Sequence, residues 1–235
     1  MVAMATAAST SARCTVVLAV KSLPDAKSRL TPLPDSADRR ALVSAMLLDT
    51  LDAVAAVGAD AVVVSPDRDV HRLAAAAGVR ALDEPGPSPG ITPLNAALAR
   101  GAATGGPTAF LQADLPALRS DSLAQALDGA SLALTSAPAA FVADRSGHGT
   151  VLLVAQAGFT PRFGAESAQR HREAGAVELD ADRRRWPDLR TDIDTPDDLA
   201  VATDIGLGPR TLSALARPAA KAPGSTRQSA ADAAQ

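Results

Sequence analysis

Three cationic side chains follow the first apolar run of the sequence. The run extends from Thr15 to Val20, and Lys21, Lys27 and Arg29 come after it within nine residues. A β-branched, apolar run of this kind is typical of a strand buried on both faces of a parallel sheet. In open α/β sheets ligands bind where the strands end, and cations there neutralise the charge of a transferring phosphoryl group. The segment therefore indicates polyphosphate binding, with a solvated basic loop as the alternative.

Three aspartates stand at the ends of further predicted strands. Asp114 follows a predicted strand over 108–112, and Asp192 and Asp194 flank Ile193 in a segment that leads into a helix. Residues i and i+2 of an extended segment lie on one face, and two carboxylates on one face are costly unless a cation lies between them. We therefore predict that Asp114, Asp192 and Asp194 bind Mg²⁺, which prefers oxygen ligands and substrate phosphates. The alternatives are a helix-cap or turn role for Asp114 and a solvated acidic turn for Asp192 and Asp194.

A stiff, irregular loop precedes the third predicted helix. Residues 83–91 contain three prolines and two glycines, so the backbone groups of this loop are available to a ligand. Pro93 suits the first helical turn, and Asn95 lies in that turn, where its amide could read the edge of a nucleotide base. We predict nucleotide contacts at Glu84, Gly90 and Asn95, with a plain loop and a helix-start asparagine as the alternative.

Two small residues stand at the predicted start of a later helix. Gly164 and Ser167 offer free amides, a hydroxyl and the positive end of the helix dipole, which together suit a phosphate or a carboxylate. A serine-capped helix without a ligand explains the same residues equally well. We expect His171, in the following helix, to lie on a solvated face, and His148, between two glycines, to be a solvent-facing turn residue.

These candidate residues must be positioned by alternating strands and helices. Apolar residues recur at helical spacing over 35–57, and short helices are predicted after later strands. Together with the strands they give a βαβαβ pattern. This pattern is the unit of a doubly wound parallel sheet with right-handed crossovers, in which each strand delivers its following loop to the same edge. The predicted strands cover 15–20, 61–65, 79–82, 108–112, 131–135, 140–143, 151–155 and 177–179.

Composition bounds the classes of function. The 235 residues carry a formal net charge of −3 and 2% aromatic residues, with no tyrosine, which argues against nucleic acid as a partner. Cys14 is the only cysteine, so a disulfide framework within one chain and a cysteine-rich zinc site are excluded. Neither a P-loop motif nor a dinucleotide glycine motif follows the first strand. No apolar stretch reaches about 18 residues, so we predict no membrane span and a cytoplasmic protein.

Taken together, these segments resemble the Rossmann-like nucleotidyltransferases, which transfer a nucleoside monophosphate from a nucleoside triphosphate. Within that superfamily the chain resembles the 2-phospho-L-lactate/phosphoenolpyruvate guanylyltransferase family of coenzyme F420 biosynthesis, from Thr15 to Arg210. Some relatives carry asparagine after the Gly-Thr pair, where this chain has Val151. The matching residues are Lys27–Leu30, Leu94–Leu98, Ala113–Pro116, Asp192–Pro196, Asp144-Arg145 with Gly149-Thr150, and Arg162–Gly164 with Ser167, Arg170 and His171.

The resemblance implies a single-domain, three-layer α/β fold of the GT-A type, with a mixed, mostly parallel central sheet. The nucleotidyltransferase domain would cover 14–213. We predict disordered segments at 1–13, which is small and polar, and at 214–235, which is rich in Ala, Pro, Ser, Lys and Gln.

The resemblance also implies a role for each matched position. Thr150, Gly164 and Ser167 would hold phosphoenolpyruvate or 2-phospho-L-lactate, and the three aspartates would hold Mg²⁺. The three cations would act in catalysis by neutralising the phosphates of GTP. The implied reaction moves GMP from GTP to phosphoenolpyruvate, releases pyrophosphate and yields enolpyruvoyl-2-diphospho-5'-guanosine. An alanine-rich composition suits an actinobacterium, where the usual acceptor of the family is phosphoenolpyruvate.

Several alternatives to this function stay open at the level of sequence. The acceptor could be 2-phospho-L-lactate, molybdopterin or a sugar phosphate on the same fold, and a non-catalytic nucleotide-binding protein could keep the fold as well. The implied partners are the small molecules GTP and phosphoenolpyruvate, with neither nucleic acid nor membrane. A homodimer, or a contact with the next enzyme of the pathway, is left open.

Overall fold

Strands and helices alternate along the chain, as their apolar periodicity predicts. The computed structural model describes residues 14–23, 36–102 and 106–216. The strands are β1 (Thr15–Ala19), β2 (Asp60–Val64), β3 (Arg80–Leu82), β4 (Thr108–Leu111), β5 (Ala139–Ala143), β6 (Thr150–Ala155) and β7 (Val177–Glu178). The helices are α1 (Ser36–Ala56), α2 (Arg68–Ala76), α3 (Pro93–Gly101), α4 (Ser120–Ala133), α5 (Ser167–Glu173), α6 (Pro187–Arg190), α7 (Pro196–Ile205) and α8 (Pro209–Leu215).

The strands form one seven-stranded sheet in the order β3-β2-β1-β4-β6-β5-β7. β1 pairs in parallel with β2 and β4, β2 pairs in parallel with β3, and β5 pairs in parallel with β7. β6 runs antiparallel to both β4 and β5. The prediction of an α/β fold with a mixed, mostly parallel sheet is therefore confirmed. Because β6 runs the opposite way, its first residues lie at the edge where the parallel strands end.

Helices cover both faces of the sheet and make three layers. In β1, Val16 and Leu18 join the apolar cluster on one face and Val17 joins the cluster on the other, because side chains alternate along a strand. The first face packs against the apolar side of α1, and the second packs against α3 and α5. The buried α1 residues, whose helical spacing predicts this contact, are Leu42, Met46, Leu47, Leu51 and Val54.

The strand predicted at 131–135 is wrong. Helix α4 continues through this segment to Ala133 and is followed by a turn. Buried residues continue at three- and four-residue spacing past 127, where the helix was predicted to end, so the buried face of the helix is longer than predicted. The buried residues on that side are Leu123, Ala126, Leu127 and Ala130. Leu132, on the other side of the helix, is exposed and contributes nothing to a strand core.

Helix α8 runs past the predicted domain end at 213. Its first turn is held by Asp49 of α1, whose carboxylate accepts hydrogen bonds from the amides of Arg210 at 3.1 Å and Thr211 at 2.8 Å. Asp49 is buried, so this contact belongs to the core. The predicted segment 1–13, and the predicted tail 214–235 from residue 217 onward, lie outside the described residues. None of the helices in the described part of the chain is long and apolar enough to cross a membrane.

Two helical glycines predict opposite effects of the same substitution. A Cβ at Gly101 would lie 2.5 Å from Cγ1 of Val17 and 3.0 Å from Cγ2 of Val64, so Gly101→Ala should lower the free energy of unfolding by about 1–3 kcal/mol through overpacking. A Cβ at Gly129 would meet Leu179 at an ordinary 3.8 Å, so Gly129→Ala should raise that free energy by up to about 1 kcal/mol through helix propensity. Urea unfolding measures both, and an increase in both variants would contradict the close packing of α3 on the sheet.

Candidate active site

The predicted cations and Asp114 follow neighbouring strands of the sheet. β1 and β4 pair in parallel, so both strands end at the same edge of the sheet. Lys21 is exposed just beyond β1, and Asp114 is half-buried just beyond β4. Lys27 and Arg29 lie outside the described residues, and their contacts with GTP stay predictions.

The structure brings the acidic segment, residues 192–194, against the backbone of Asp114. The amide of Ile193 donates a hydrogen bond to the carbonyl oxygen of Asp114 at 3.2 Å, although the two residues are far apart in the sequence. Ile193 is fully buried, as predicted, while Asp192 is half-buried and Asp194 is exposed. Within 14–23, 36–102 and 106–216, no group of three His, Cys, Asp or Glu residues is arranged to hold a metal ion. The three-aspartate Mg²⁺ site therefore stays a prediction, supported by the meeting of the two segments.

A capping box fixes the backbone that follows Asp194. The hydroxyl of Thr195 accepts a hydrogen bond from the amide of Asp198 at 3.3 Å, and the Asp198 carboxylate accepts one from the amide of Thr195 at 2.9 Å. This confirms the predicted start of α7, with Pro196 in its first turn. Arg145 donates to the Asp198 carboxylate at 2.7 Å. Burial would raise the pKa of Asp198, but hydrogen bonds from Thr195 and Arg145 outweigh it and hold that pKa below its ordinary value.

A buried arginine anchors the backbone just before the acidic segment. The guanidinium of Arg190 donates to the carbonyl oxygens of Ala143 at 2.6 Å, Asp180 at 2.9 Å and Arg185 at 3.0 Å. It also forms an ion pair with the Asp180 carboxylate at 3.0 Å. Burial lowers the pKa of Arg190 despite this partner. Because a buried guanidinium is costly without its acceptors, these contacts hold α6 against the end of β5 and against residues 180–185.

A buried histidine lies beside Thr150, the first residue of β6. Nδ1 of His171 is 2.9 Å from the hydroxyl oxygen of Thr150, and Nε2 accepts a hydrogen bond from the amide of Arg162 at 3.0 Å. Thr150 is 2% exposed and His171 is 0% exposed, so water does not compete for these contacts. Burial, followed by the charges of Arg162 and Arg170, lowers the pKa of His171 to about 4. The imidazole is therefore neutral at physiological pH.

The prediction that His171 lies on a solvated helix face is wrong. Helix α5 buries Ser167 and Ala168, and it buries His171 one turn later on the same face, whereas Arg172 is exposed. This spacing was the available sequence signal, and the charged neighbours of His171 obscured it. The ring packs among three aromatic side chains, with centroid distances of 5.8, 6.5 and 5.3 Å to Phe141, Phe159 and Phe163.

Asn95 holds the backbone just before Gly164. Its side-chain oxygen accepts a hydrogen bond from the Phe163 amide at 2.9 Å, and its nitrogen donates to the Phe163 carbonyl at 3.1 Å and to the Thr92 hydroxyl at 2.8 Å. Because the Phe163 amide can only donate, this contact defines which way the Asn95 amide points. A contact between Asn95 and a base stays a prediction. The structure adds a role that the sequence did not suggest, which is to hold the Gly164 loop.

A turn at the start of α5 joins Gly164 and Ser167. The Ser167 amide donates to the Gly164 carbonyl at 3.1 Å, and Gly164 has a φ of +117°, which glycine adopts without strain. The Ala168 amide donates to the carbonyl of His148 at 3.0 Å and so ties α5 to the loop before Thr150. His148 is itself exposed, as predicted. The structure thus connects all three predicted acceptor residues, whose contacts with a ligand stay predictions.

The predicted nucleotide loop follows β3 at the same edge of the sheet. β3 is parallel to β2, and β2 is parallel to β1, so all three strands end at one edge. This loop follows β3 there, and the basic segment, which carries Lys21, Lys27 and Arg29, follows β1. Glu84 is half-buried, and Gly90 is exposed with a φ of +75°. The Ile91 amide closes the turn around Gly90 by donating to the carbonyl of Ser88 at 3.3 Å. Contacts of Glu84 and Gly90 with a nucleotide stay predictions.

Asp67, which the sequence does not single out, anchors the start of the basic segment. Its carboxylate accepts hydrogen bonds from the amides of Leu23 at 2.9 Å and Asp69 at 2.8 Å, and from the hydroxyl of Ser22 at 3.4 Å. Burial would raise the pKa of Asp67, but the hydrogen bonds from Leu23 and Asp69 outweigh it and lower that pKa. The position of Asp67 before α2 predicts a helix cap, but nothing in the local sequence indicates its contact with Leu23.

Comparison with known proteins points to one family. The family model described as "Guanylyl transferase CofC like" matches residues 14–206. The phosphoenolpyruvate guanylyltransferase of Mycolicibacterium gilvum (strain PYR-GCK) is 46% identical over 212 residues, which cover 85% of this chain and 94% of that protein. The phosphoenolpyruvate guanylyltransferase of Mycobacterium sp. (strain KMS) is 46% identical over 214 residues, which cover 89% of this chain and 94% of that protein.

A solved structure has a similar fold. The crystal structure of a Desulfovibrio desulfuricans G20 protein, described provisionally as a nucleotide-diphospho-sugar transferase, aligns with a TM-score of 0.55 and covers 80% of this chain and 85% of that chain. The sequence identity is 18%, so the likeness concerns the fold alone. Together with the three layers and the strand order, it confirms the Rossmann-like class.

Buried His171 predicts a loss of stability at acidic pH. In the unfolded chain its pKa returns to the ordinary 6.5, so between that value and about 4 the unfolded chain binds more protons than the folded chain. The stabilisation is therefore complete above the unfolded pKa and is lost as the pH falls towards the folded pKa. From about pH 7 to about pH 5, wild-type protein should lose about 2 kcal/mol more unfolding free energy than the variant His171→Gln.

Urea unfolding at the two pH values measures this difference. The matched control is His148→Gln, which removes an exposed histidine and should retain the wild-type loss. Equal losses in the wild type and in His171→Gln would show that His171 titrates normally in the folded state.

Proposed function

The chain belongs to the CofC-like guanylyl transferase family, and we propose that it transfers GMP from GTP to phosphoenolpyruvate with release of pyrophosphate. The observation that carries this proposal is the 46% identity, over 212 residues, to the phosphoenolpyruvate guanylyltransferase of Mycolicibacterium gilvum. The product is enolpyruvoyl-2-diphospho-5'-guanosine, an intermediate for coenzyme F420. The geometry at the carboxyl edge of the sheet supports a role for each part of the site.

The acceptor binds at Thr150, Gly164 and Ser167. The hydroxyls of Thr150 and Ser167 and the amide of Gly164 are donors, which suit the phosphate and the carboxylate of phosphoenolpyruvate. The hydrogen bonds that connect α5, the Gly164 loop and the start of β6 support this grouping. Arg162 and Arg170 add positive charge nearby, since both lower the pKa of His171 beside Thr150. Positive charge and donors together favour a small, doubly anionic acceptor.

GTP lies across the ends of the parallel strands β1 to β4. Lys21, Lys27 and Arg29 neutralise its phosphates, and the loop that follows β3 receives the nucleoside. The parallel pairing of β1, β2 and β3 supports this placement, because it puts both segments at one edge. Asp67 supports it further, because its hydrogen bond to the amide of Leu23 holds the basic segment where that segment begins.

Mg²⁺ is held by Asp114 together with Asp192 or Asp194. The donor set fits this ion, because Mg²⁺ takes one or two carboxylates and completes its coordination with water and substrate phosphates. The hydrogen bond from Ile193 to Asp114 supports the assignment, since it joins the two acidic segments. When bound, Mg²⁺ supplies neutralisation of the negative charge on the GTP phosphates.

The reaction needs positioning and charge neutralisation more than a general base. An oxygen of the acceptor phosphate attacks the α-phosphorus of GTP, the bond from that phosphorus to the bridging oxygen breaks, and pyrophosphate leaves with the electron pair. A phosphate monoester has a second pKa of about 6, so its oxygen is already ionised and nucleophilic at neutral pH. The protein must therefore offset the repulsion between two anions and hold them in line.

Turnover of the purified chain tests the proposed function. With GTP, Mg²⁺ and phosphoenolpyruvate, the chain should release pyrophosphate and form one GMP–phosphoenolpyruvate conjugate per pyrophosphate, measured by a coupled phosphate assay and by mass spectrometry. Controls replace GTP by ATP or CTP, and phosphoenolpyruvate by 2-phospho-L-lactate or a sugar phosphate. No pyrophosphate release with phosphoenolpyruvate would refute the proposal, and GTP binding without any turnover would indicate a non-catalytic nucleotide-binding protein.

Replacement of Asp114 tests the metal assignment. Asp114→Asn keeps the volume but removes a charge, and it should reduce kcat/KM by about a hundredfold or more while changing the free energy of unfolding little. Asp121→Asn is the matched control, because Asp121 is an exposed carboxylate in the first turn of α4. Mg²⁺ titration of both variants completes the measurement. Wild-type activity in Asp114→Asn would remove Asp114 from the site.

A further inference from the structure

We propose that His171 is a positioning residue for the acceptor: its Nδ1–H donates to Thr150 and so leaves the hydroxyl hydrogen of Thr150 for an anionic oxygen of the acceptor. The inference rests on the proposed function, since it requires that Thr150 binds the acceptor. It goes further than that function because it names a side chain that does not contact the acceptor. This side chain determines whether the hydroxyl of Thr150 donates or accepts a hydrogen bond.

The hydrogen bonds of the imidazole determine its tautomer. The amide of Arg162, 3.0 Å from Nε2, is a donor and cannot accept, so Nε2 must present its lone pair. A neutral imidazole then carries its hydrogen on Nδ1. Nδ1 is 2.9 Å from the hydroxyl oxygen of Thr150 and therefore donates to it. The ring is fully buried, which favours the neutral form on which this assignment depends.

The tautomer in turn determines what Thr150 can do. A threonine hydroxyl has one hydrogen to donate and two lone pairs that accept. With one lone pair bonded to His171, the hydroxyl hydrogen of Thr150 is not used by the imidazole. In the opposite tautomer Thr150 would have to donate to Nδ1, and only lone pairs would face a phosphate or carboxylate oxygen, which they repel. His171 therefore makes Thr150 a donor that recognises anions.

The same ring connects the two parts of the acceptor site. Its Nε2 holds the amide of Arg162, while Asn95 holds both backbone groups of the next residue, Phe163. Gly164 follows directly in the chain. The backbone before Gly164 is therefore held by Asn95 and His171, and His171 also contacts the hydroxyl of Thr150.

Two substitutions at position 171 separate these contacts. The amide of asparagine reaches the position of Nδ1 and can donate to Thr150, whereas the amide of glutamine reaches the position of Nε2 and can accept from Arg162. His171→Gln should raise the KM for phosphoenolpyruvate by about tenfold or more, because a hydrogen bond to a charged ligand loses its orientation. His171→Asn should raise it by about threefold or less, and the KM for GTP should stay within about twofold in both variants.

A double variant tests whether His171 acts through Thr150. Thr150→Val removes the hydroxyl and keeps the volume, so His171→Gln should cause no further increase of the phosphoenolpyruvate KM in that background. Equal effects of His171→Gln and His171→Asn, or multiplied effects in the double variant, would overturn the inference. Lack of wild-type turnover would instead refute the proposed function, whereas normal wild-type turnover with an unchanged KM in His171→Gln would refute the role of His171 alone.

A measurement on the wild-type protein covers the case in which the variants do not fold. Long-range proton–nitrogen correlation NMR distinguishes a ring nitrogen that carries hydrogen from one that does not. The chain has three histidines, and neither His71 nor His148 is buried, so the variants His71→Gln and His148→Gln assign His171 by elimination. Hydrogen on Nδ1 of His171 supports the inference, and hydrogen on Nε2 overturns it.

Discussion

The reversed direction of β6 is the constraint on which the candidate site depends. If every strand ran parallel, the ligand-binding edge would carry only segments that follow strands. Because β6 lies antiparallel between β4 and β5, its first residue, Thr150, stands at this edge beside the residues that follow β4. The Gln112 amide donates to the carbonyl of Val151 at 2.9 Å and extends this pairing towards Asp114. Thr150, a predicted acceptor residue, and the segment that carries Asp114 lie at one edge because β6 starts where its neighbours end.

Buried polar side chains then define the loops at this edge. Arg190, His171 and Asn95 are each at most 9% exposed, and each bonds to backbone groups outside its own helix. Apolar packing has no direction, whereas a buried donor or acceptor is costly to leave unpaired, so each bond restricts the backbone group that it reaches. Loops without regular secondary structure acquire a defined geometry in this way.

Local patterns in the sequence predict the fold well and the site in part. The apolar run of β1, the helical face of α1 and the cap at Thr195 are local features, and the structure confirms each of them. The rule that parallel strands end at one edge also anticipates that Asp114 and the segment around Ile193 meet. Burial of His171 is harder to predict, because Arg170 and Arg172 flank it in the sequence and one of the rings that cover it, Phe141, belongs to a separate strand.

The strand order also bears on how the chain folds during synthesis. β1 lies inside the sheet, where Thr15 pairs with Asp60 on one side and with Thr108 on the other. The half made of β1, β2 and β3 leaves the ribosome first, and β1 keeps one unpaired edge until β4 follows. An unpaired strand edge is a template for pairing with another chain. Slower synthesis of the chain between β3 and β4 would therefore prolong the time during which this edge of β1 is exposed.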